Sequence, residues 1–102
     1  MRVVAIETSC DETAVAVLEG SGSVLASRIA SQIDLHTPYG GVVPELASRN
    51  HNLVLRPLLD AVLEDASAPL QSIDAFAATA GPGLASSLLI GSTTAKALAL
   101  AT

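Results

Sequence analysis

The sequence predicts an α/β fold with a mixed sheet in the order β-β-β-α-β-α, and three observations predict it. Two apolar runs, Val3–Ile6 and Ala14–Val17, flank one short polar connection, as in a β-hairpin. A long stretch with helical apolar spacing opens at Pro44. A further apolar run, Ile73–Thr79, follows it and leads through Gly81-Pro82-Gly83 into a last helix.

The first strand, about Arg2 to Glu7, is apolar on both faces, which suits a central strand covered on both sides. The second runs from about Thr13 to Leu18. The turn Glu19-Gly20-Ser21-Gly22-Ser23 leads to a third, about Val24 to Ser31, whose Arg28 and serines suit a sheet edge. Residues Gln32 to Val43 form a loop, with His36, Pro38, Tyr39 and the Gly40-Gly41 pair, that serves as a lid or simply as a crossover. The helix from Pro44 should reach Ala66, kinked or split at Pro57, which deletes an internal hydrogen bond. A strand that follows a helical crossover lies parallel to the first, so Ile73–Thr79 should pair beside it. The last helix, about Leu84 to Ala101, has Lys96 as its sole charge.

This order begins a ribonuclease-H-like fold, the half-domain of the actin-like (ASKHA) ATPases, with its final strand missing. At 102 residues the chain makes a single lobe. Only Tyr39 and Phe76 are aromatic, so Ala, Val, Leu and Ile must pack closely. The formal charge of −5 is the wrong sign for gripping a phosphate backbone alone, so any nucleic acid is expected only within a larger complex. The single cysteine excludes an internal disulfide, and the start MRVVAIE is too brief an apolar run for a secretory signal; a cytoplasmic setting is expected. Lys96 and the hydroxyls around it argue against a membrane span in the last helix.

The first hairpin connection, Glu7-Thr8-Ser9-Cys10-Asp11-Glu12-Thr13, has no glycine but carries hydroxyls, a thiol and three carboxylates. A connection chosen for geometry alone would use Asn-Gly or Asp-Gly. Its backbone N–H groups, with Thr8, Ser9 and Thr13, suit phosphate oxygens. Asp11 and Glu12 suit a hydrated magnesium ion or acceptance of a proton. The plainer alternative is a polar turn that caps its own backbone. Cys10 reads as a small turn residue, since the neighbouring carboxylates disfavour a thiolate. His36 and His51 are fifteen positions apart without a second ligand at helical spacing, so they make no metal site by themselves; His51 is expected on a polar helix face with Arg49 and Asn50. The run GPGLASSLLIGSTTAK lacks the adjacent Gly-Lys-Ser/Thr of a phosphate loop, and Ser87, Gly91 and Ala95 read as small residues for close helix packing.

The stretches IETSCDETAVAV, SQIDLHTPYGGVVPELASRNH and TAGPGLASSLLIGSTTAKALALA resemble the tRNA threonylcarbamoyladenosine synthase subunit family, TsaD in bacteria, long called the glycoprotease or O-sialoglycoprotein endopeptidase family. The resemblance covers practically all of this chain and about the first third of a full member. It implies an ATP-type nucleotide with magnesium, a divalent metal, and transfer of a threonylcarbamoyl group to the adenosine adjoining the anticodon in certain tRNAs. The phosphate-facing residues would be Thr8, Ser9, Cys10 and Thr13, with Asp11 and Glu12 catalytic. The family's metal ligands lie beyond Thr102, so the chain is expected to be a fragment, a truncated product or a stand-alone remnant, inactive by itself. The resemblance also implies a paralogous non-catalytic partner subunit. That partner, or a second copy, would meet the two helices at Leu55, Leu59, Leu63, Leu88, Gly91 and Ala95. A non-catalytic dimerisation module is the alternative; a protease finds no nucleophile–base pair or zinc motif here.

Overall fold

Strand β1 (Arg2–Glu7) is the centre of the architecture. It pairs antiparallel with β2 (Glu12–Glu19), from Arg2 opposite Glu19 to Glu7 opposite Ala14. On its other side it pairs parallel with β4 (Ala75–Ala78), from Val3 beside Ala75 to Ile6 beside Ala78. Strand β3 (Ser23–Ser31) joins β2 antiparallel, so the sheet order is β3-β2-β1-β4. These details come from a computed structural model that describes residues 1–20 and 22–102. Within the 19–23 turn, Gly20 and Gly22 have positive φ, while Ser21 lies outside the described residues.

The meander and the parallel fourth strand agree with the sequence expectation, as do two long helices, α2 (Pro44–Asp65) and α3 (Ala85–Ala101). The alternation of β residues decides which face they cover. Val4 and Ile6 of β1 and Val15 and Val17 of β2 are buried against Leu55, Leu59 and Val62 of α2 and Ala95 of α3. The other face of the sheet carries Ala5 of β1, Ala14 and Ala16 of β2 and Ala77 of β4, which line a shallow hollow of about 400 Å³. Among the described residues both helices therefore cover one face, where coverage of β1 on both sides was expected.

Two local expectations are corrected. Residues 33–36 form a one-turn helix, α1 (Ile33–His36), and Thr37–Tyr39 a 3-10 turn, where an irregular loop was expected. The Thr37 hydroxyl donates to the Ile33 carbonyl at 2.7 Å and closes this turn locally. Helix α2 also continues through Pro57 without being split there, which leaves a kink as the form the expected disruption can take. Proline leaves the carbonyl four residues earlier without its N–H, and here Leu53 and Pro57 both lie on the solvent side, where that carbonyl is not forced to find a partner inside the protein. At the outer edge, Arg28 of β3 donates to both carboxylate oxygens of Asp65 at 2.7 and 3.1 Å, which ties the edge strand to the end of α2.

Candidate functional site

The 8–13 bend is gripped from several sides. Thr8 extends the buried alternation of Val4 and Ile6, so its side chain enters the interior. Its hydroxyl donates to the Ser87 carbonyl at 2.6 Å and accepts from the Gly91 N–H at 3.1 Å, an i, i+4 pair of α3. Only glycine permits this approach, because a Cβ at position 91 would lie 2.6 Å from the Thr8 Oγ1. The Ser9 N–H donates to the Glu7 carboxylate at 2.6 Å, and the Ser9 carbonyl accepts from the Leu84 N–H at 2.8 Å. The Gly81–Gly83 turn presses so closely here that a Cβ on Gly83 would lie 2.6 Å from the Ser9 carbonyl oxygen. The Asp11 carbonyl accepts from the Gln32 N–H at 2.9 Å.

From α2, His51 reaches the same bend. Its Nε2 lies 2.8 Å from the Cys10 carbonyl and its Nδ1 lies 2.7 Å from the Thr13 hydroxyl. A carbonyl can only accept, so Nε2 carries the proton and the Thr13 hydroxyl donates to Nδ1. The Gln32 side-chain amide lies 3.4 Å from that Nδ1 and 3.3 Å from the Ala47 carbonyl. Its oxygen takes a 2.8 Å hydrogen bond from His36 Nε2, and His36 Nδ1 accepts from the Val43 N–H at 3.1 Å. His51, Gln32 and His36 are 0%, 3% and 4% exposed, so this chain of polar groups is buried end to end.

Several expected site residues are placed differently from the sequence reading. Thr8 and Thr13 are buried and their hydroxyls are committed to Ser87, Gly91 and His51, which removes them from the phosphate-facing set. Ser9 and Cys10 are half-buried and engage the protein through their carbonyls, and the Cys10 thiol is free. Among the described residues, none of the hydrogen bonds that hold the bend uses the N–H of Cys10 or Asp11. Asp11 borders a shallow hollow of about 370 Å³ with His36, Thr37, Gly40 and Gly41. Glu12 is exposed and, by strand alternation, belongs with Ala14 and Ala16 on the sheet face away from the helices. His51 leaves the polar helix face where it was expected and sits in the interior.

Four of the six expected interface residues are taken up within this chain. Leu55, Leu59 and Ala95 belong to this chain's own core, and buried Gly91 packs on Thr8. Leu63 and Leu88 are half-buried. The exposed apolar side chains on these helices are instead Leu53 of α2 and Leu89 and Leu100 of α3.

The family model for TsaD, tRNA N6-adenosine threonylcarbamoyltransferase, matches residues 23–102. The chain belongs to the TsaD family. A tRNA N6-adenosine threonylcarbamoyltransferase of Dehalococcoides mccartyi (strain CBDB1) is 52% identical over 101 residues, spanning 99% of this chain and 31% of the relative. One of Brucella ovis is 55% identical over 105 residues, with 99% and 29% covered. The chain thus spans about a third of the length of the curated relatives it matches. Among solved structures, YeaZ from Pseudomonas aeruginosa superposes with a TM-score of 0.72 at 27% identity, covering 98% of this chain and 39% of that one.

Metal and nucleotide groups implied by TsaD membership fit these residues unequally. Among the described residues no group of three or more His, Cys, Asp or Glu is placed to hold a metal ion. The two imidazoles use both ring nitrogens in the buried chain, so neither has a lone pair to spare for a metal. For a nucleotide, the bend offers the N–H groups of Cys10 and Asp11, which the hydrogen bonds holding it do not use, and the neighbouring carboxylates of Asp11 and Glu12, a residue type that suits a hydrated cation. Among the described residues, no helix is long and apolar enough to cross a membrane.

Proposed function

We propose that this chain forms the ribonuclease-H-like lobe of a tRNA N6-adenosine threonylcarbamoyltransferase and supplies one wall of its nucleotide cleft. The observation that carries this reading is the 8–13 bend: four neighbouring segments hold it, while the N–H groups of Cys10 and Asp11 and the side chains of Asp11 and Glu12 stay outside those bonds. A backbone held in advance pays no reorganisation cost when charge arrives. In this proposal the Cys10 and Asp11 N–H groups donate to phosphate oxygens of an ATP-type nucleotide or threonylcarbamoyl-adenylate. The Asp11 carboxylate orients water around the accompanying magnesium, which neutralises phosphate charge when bound. Glu12 accepts the proton lost by the adenosine amine as its nitrogen bonds to the carbamoyl carbon and the adenylate phosphate departs.

Any further divalent metal would be held by residues other than those described. Transfer to tRNA by this chain alone is not expected, since its charge of −5 gives tRNA no basic footing. Titration calorimetry with magnesium and ATP tests the wall directly. Wild type should show saturable binding, and Asp11→Ala should weaken it by about tenfold or more, the usual loss for one charge-assisted contact. Equal binding by wild type, Asp11→Ala and Glu12→Ala would overturn the reading, as would threonylcarbamoyl transfer by the purified chain.

A second reading, a non-catalytic module that pairs with a chain of similar fold, draws on the exposed Leu53 and Leu89. Loss of association on Leu89→Glu, with Asp11→Ala silent, would favour it.

A further inference from the structure

We propose that His51 is the positioning residue of the bend, and that Gln32 and His36 extend its hold to the 37–43 segment, so that the two walls beside Asp11 move as one body. The inference rests on the nucleotide-wall reading for its functional consequence, though its structural part stands apart from it.

The proton arrangement leaves little freedom. Val43 can only donate, so His36 Nδ1 accepts and its Nε2 must carry the proton that goes to the Gln32 oxygen. That fixes the Gln32 amide with its NH₂ toward His51 Nδ1 and the Ala47 carbonyl. His51 Nδ1 is then an acceptor, and its Nε2–H is left for the Cys10 carbonyl. Each link dictates the next from Val43, the N-cap residue just before α2, to Cys10 at the bend. Among the described residues no buried side-chain nitrogen or oxygen lacks a partner. Such a fully satisfied network in a low-dielectric interior rigidifies what it joins. Asp11 borders the hollow between the two joined segments, whose other lining residues include His36, Gly40 and Gly41. Rotating any one group would strand a buried donor or acceptor, so displacement at one end costs energy at the other.

The test uses His51→Leu, His51→Gln, Gln32→Leu and, as a core control, Val62→Ala, with two readouts. Ring-nitrogen NMR of wild type should show the Nε2–H form at both histidines. Gln32→Leu should move the amide resonances of Cys10 and Asp11 at one end and of Gly41 and Val43 at the other, although the Gln32 side chain bonds to neither end and its backbone N–H, which donates to the Asp11 carbonyl, is kept in the variant. Magnesium–ATP affinity should fall by about tenfold or more in His51→Leu, the scale expected of a small misplacement. In His51→Gln, whose amide can donate to Cys10 in place of Nε2, it should stay within about threefold. Val62→Ala should lower stability and leave the bend amides in place.

If His51→Leu does not fold, Gln32→Leu decides by the same resonances. Bend amides unmoved in a folded His51→Leu or Gln32→Leu, or moved equally by Val62→Ala, would overturn the proposal. Absence of nucleotide binding by wild type would instead sink the nucleotide reading and leave the resonance result to decide the coupling.

Discussion

The sheet contains two connections between adjacent antiparallel strands, and they are built on opposite plans. The 19–23 turn between β2 and β3 keeps its glycines inside the turn: Gly20 and Gly22 have φ of +66° and +118°, and a Cβ on either would meet nothing within 4 Å. The bend between β1 and β2 has no glycine of its own. Its glycines stand on the elements that grip it, Gly83 against Ser9 and Gly91 against Thr8. In the first case glycine supplies a backbone conformation, and in the second it supplies room. A connection that only reverses the chain needs the former. One that must present its outer atoms at a fixed position needs the latter, because neighbours can hold a backbone firmly only at close range.

The sharpest way to break this contrast is substitution by alanine on each side of it. Gly83→Ala should have the largest effect. The added Cβ would lie 2.6 Å from a backbone oxygen and 2.7 Å from the Ser9 Cβ, so no flexible side chain can yield. A loss of about 2 to 3 kcal/mol is expected in urea unfolding, near the upper end for overpacking. Gly91→Ala gains up to about 1 kcal/mol of helix propensity but forces the Thr8 hydroxyl away from two buried partners at about 1 to 3 kcal/mol, so it should also destabilise. Gly20→Ala should cost about 1 kcal/mol, the penalty for left-handed backbone in open space, and should leave magnesium–ATP binding unchanged. Reversal of this order, with Gly20→Ala the most damaging, would mean that the two connections are not built as described.

Much of this was legible in the sequence, and the failures are instructive. The strands, the parallel position of β4 and the two long helices follow from alternation, from proline at the start of α2 and from the Gly-Pro-Gly turn, all of which are local signals. The bend was legible as a concentration of chemistry that a simple turn does not need. Its orientation was misread, although period-2 alternation held the answer: Thr8 continues Val4 and Ile6, and Thr13 leads into Val15 and Val17, so both hydroxyls had to point inward. The burial of His51 was also written in spacing, since Ala47, His51, Leu55 and Leu59 recur every four residues along one stripe of α2. That stripe also places Leu55 and Leu59 in the core rather than at an interface. The one-turn α1 was not legible, because four residues are too few for a period. Nor was the Gln32 bridge, which exists only because folding brings together residues from the end of β3, α1 and α2.

The smallest predicted effect contrasts the buried bend with the surface tie at the edge of the sheet. Arg28 holds the Asp65 carboxyl below its ordinary value, chiefly by its hydrogen bonds; desolvation opposes the shift and the charge of Arg28 adds to it. A carboxyl whose folded-state pKa is depressed stabilises the fold fully above its unfolded value, and that contribution disappears as pH falls through the folded value. The window therefore lies below about pH 4, where the unfolded carboxyl begins to bind protons. Asp65→Asn should melt slightly below wild type near neutral pH, and the difference should shrink toward zero as pH falls below that window, since wild type then has lost the same charge. Added salt should narrow the difference, because both side chains are partly open to solvent. A gap between the two proteins that stays constant from neutral to acid pH would show that Asp65 acts through packing or uncharged hydrogen bonding. The β3 edge would then be held by the same kind of contact as the bend, and the distinction between a screened surface tie and a buried clamp would fail at this end of the sheet.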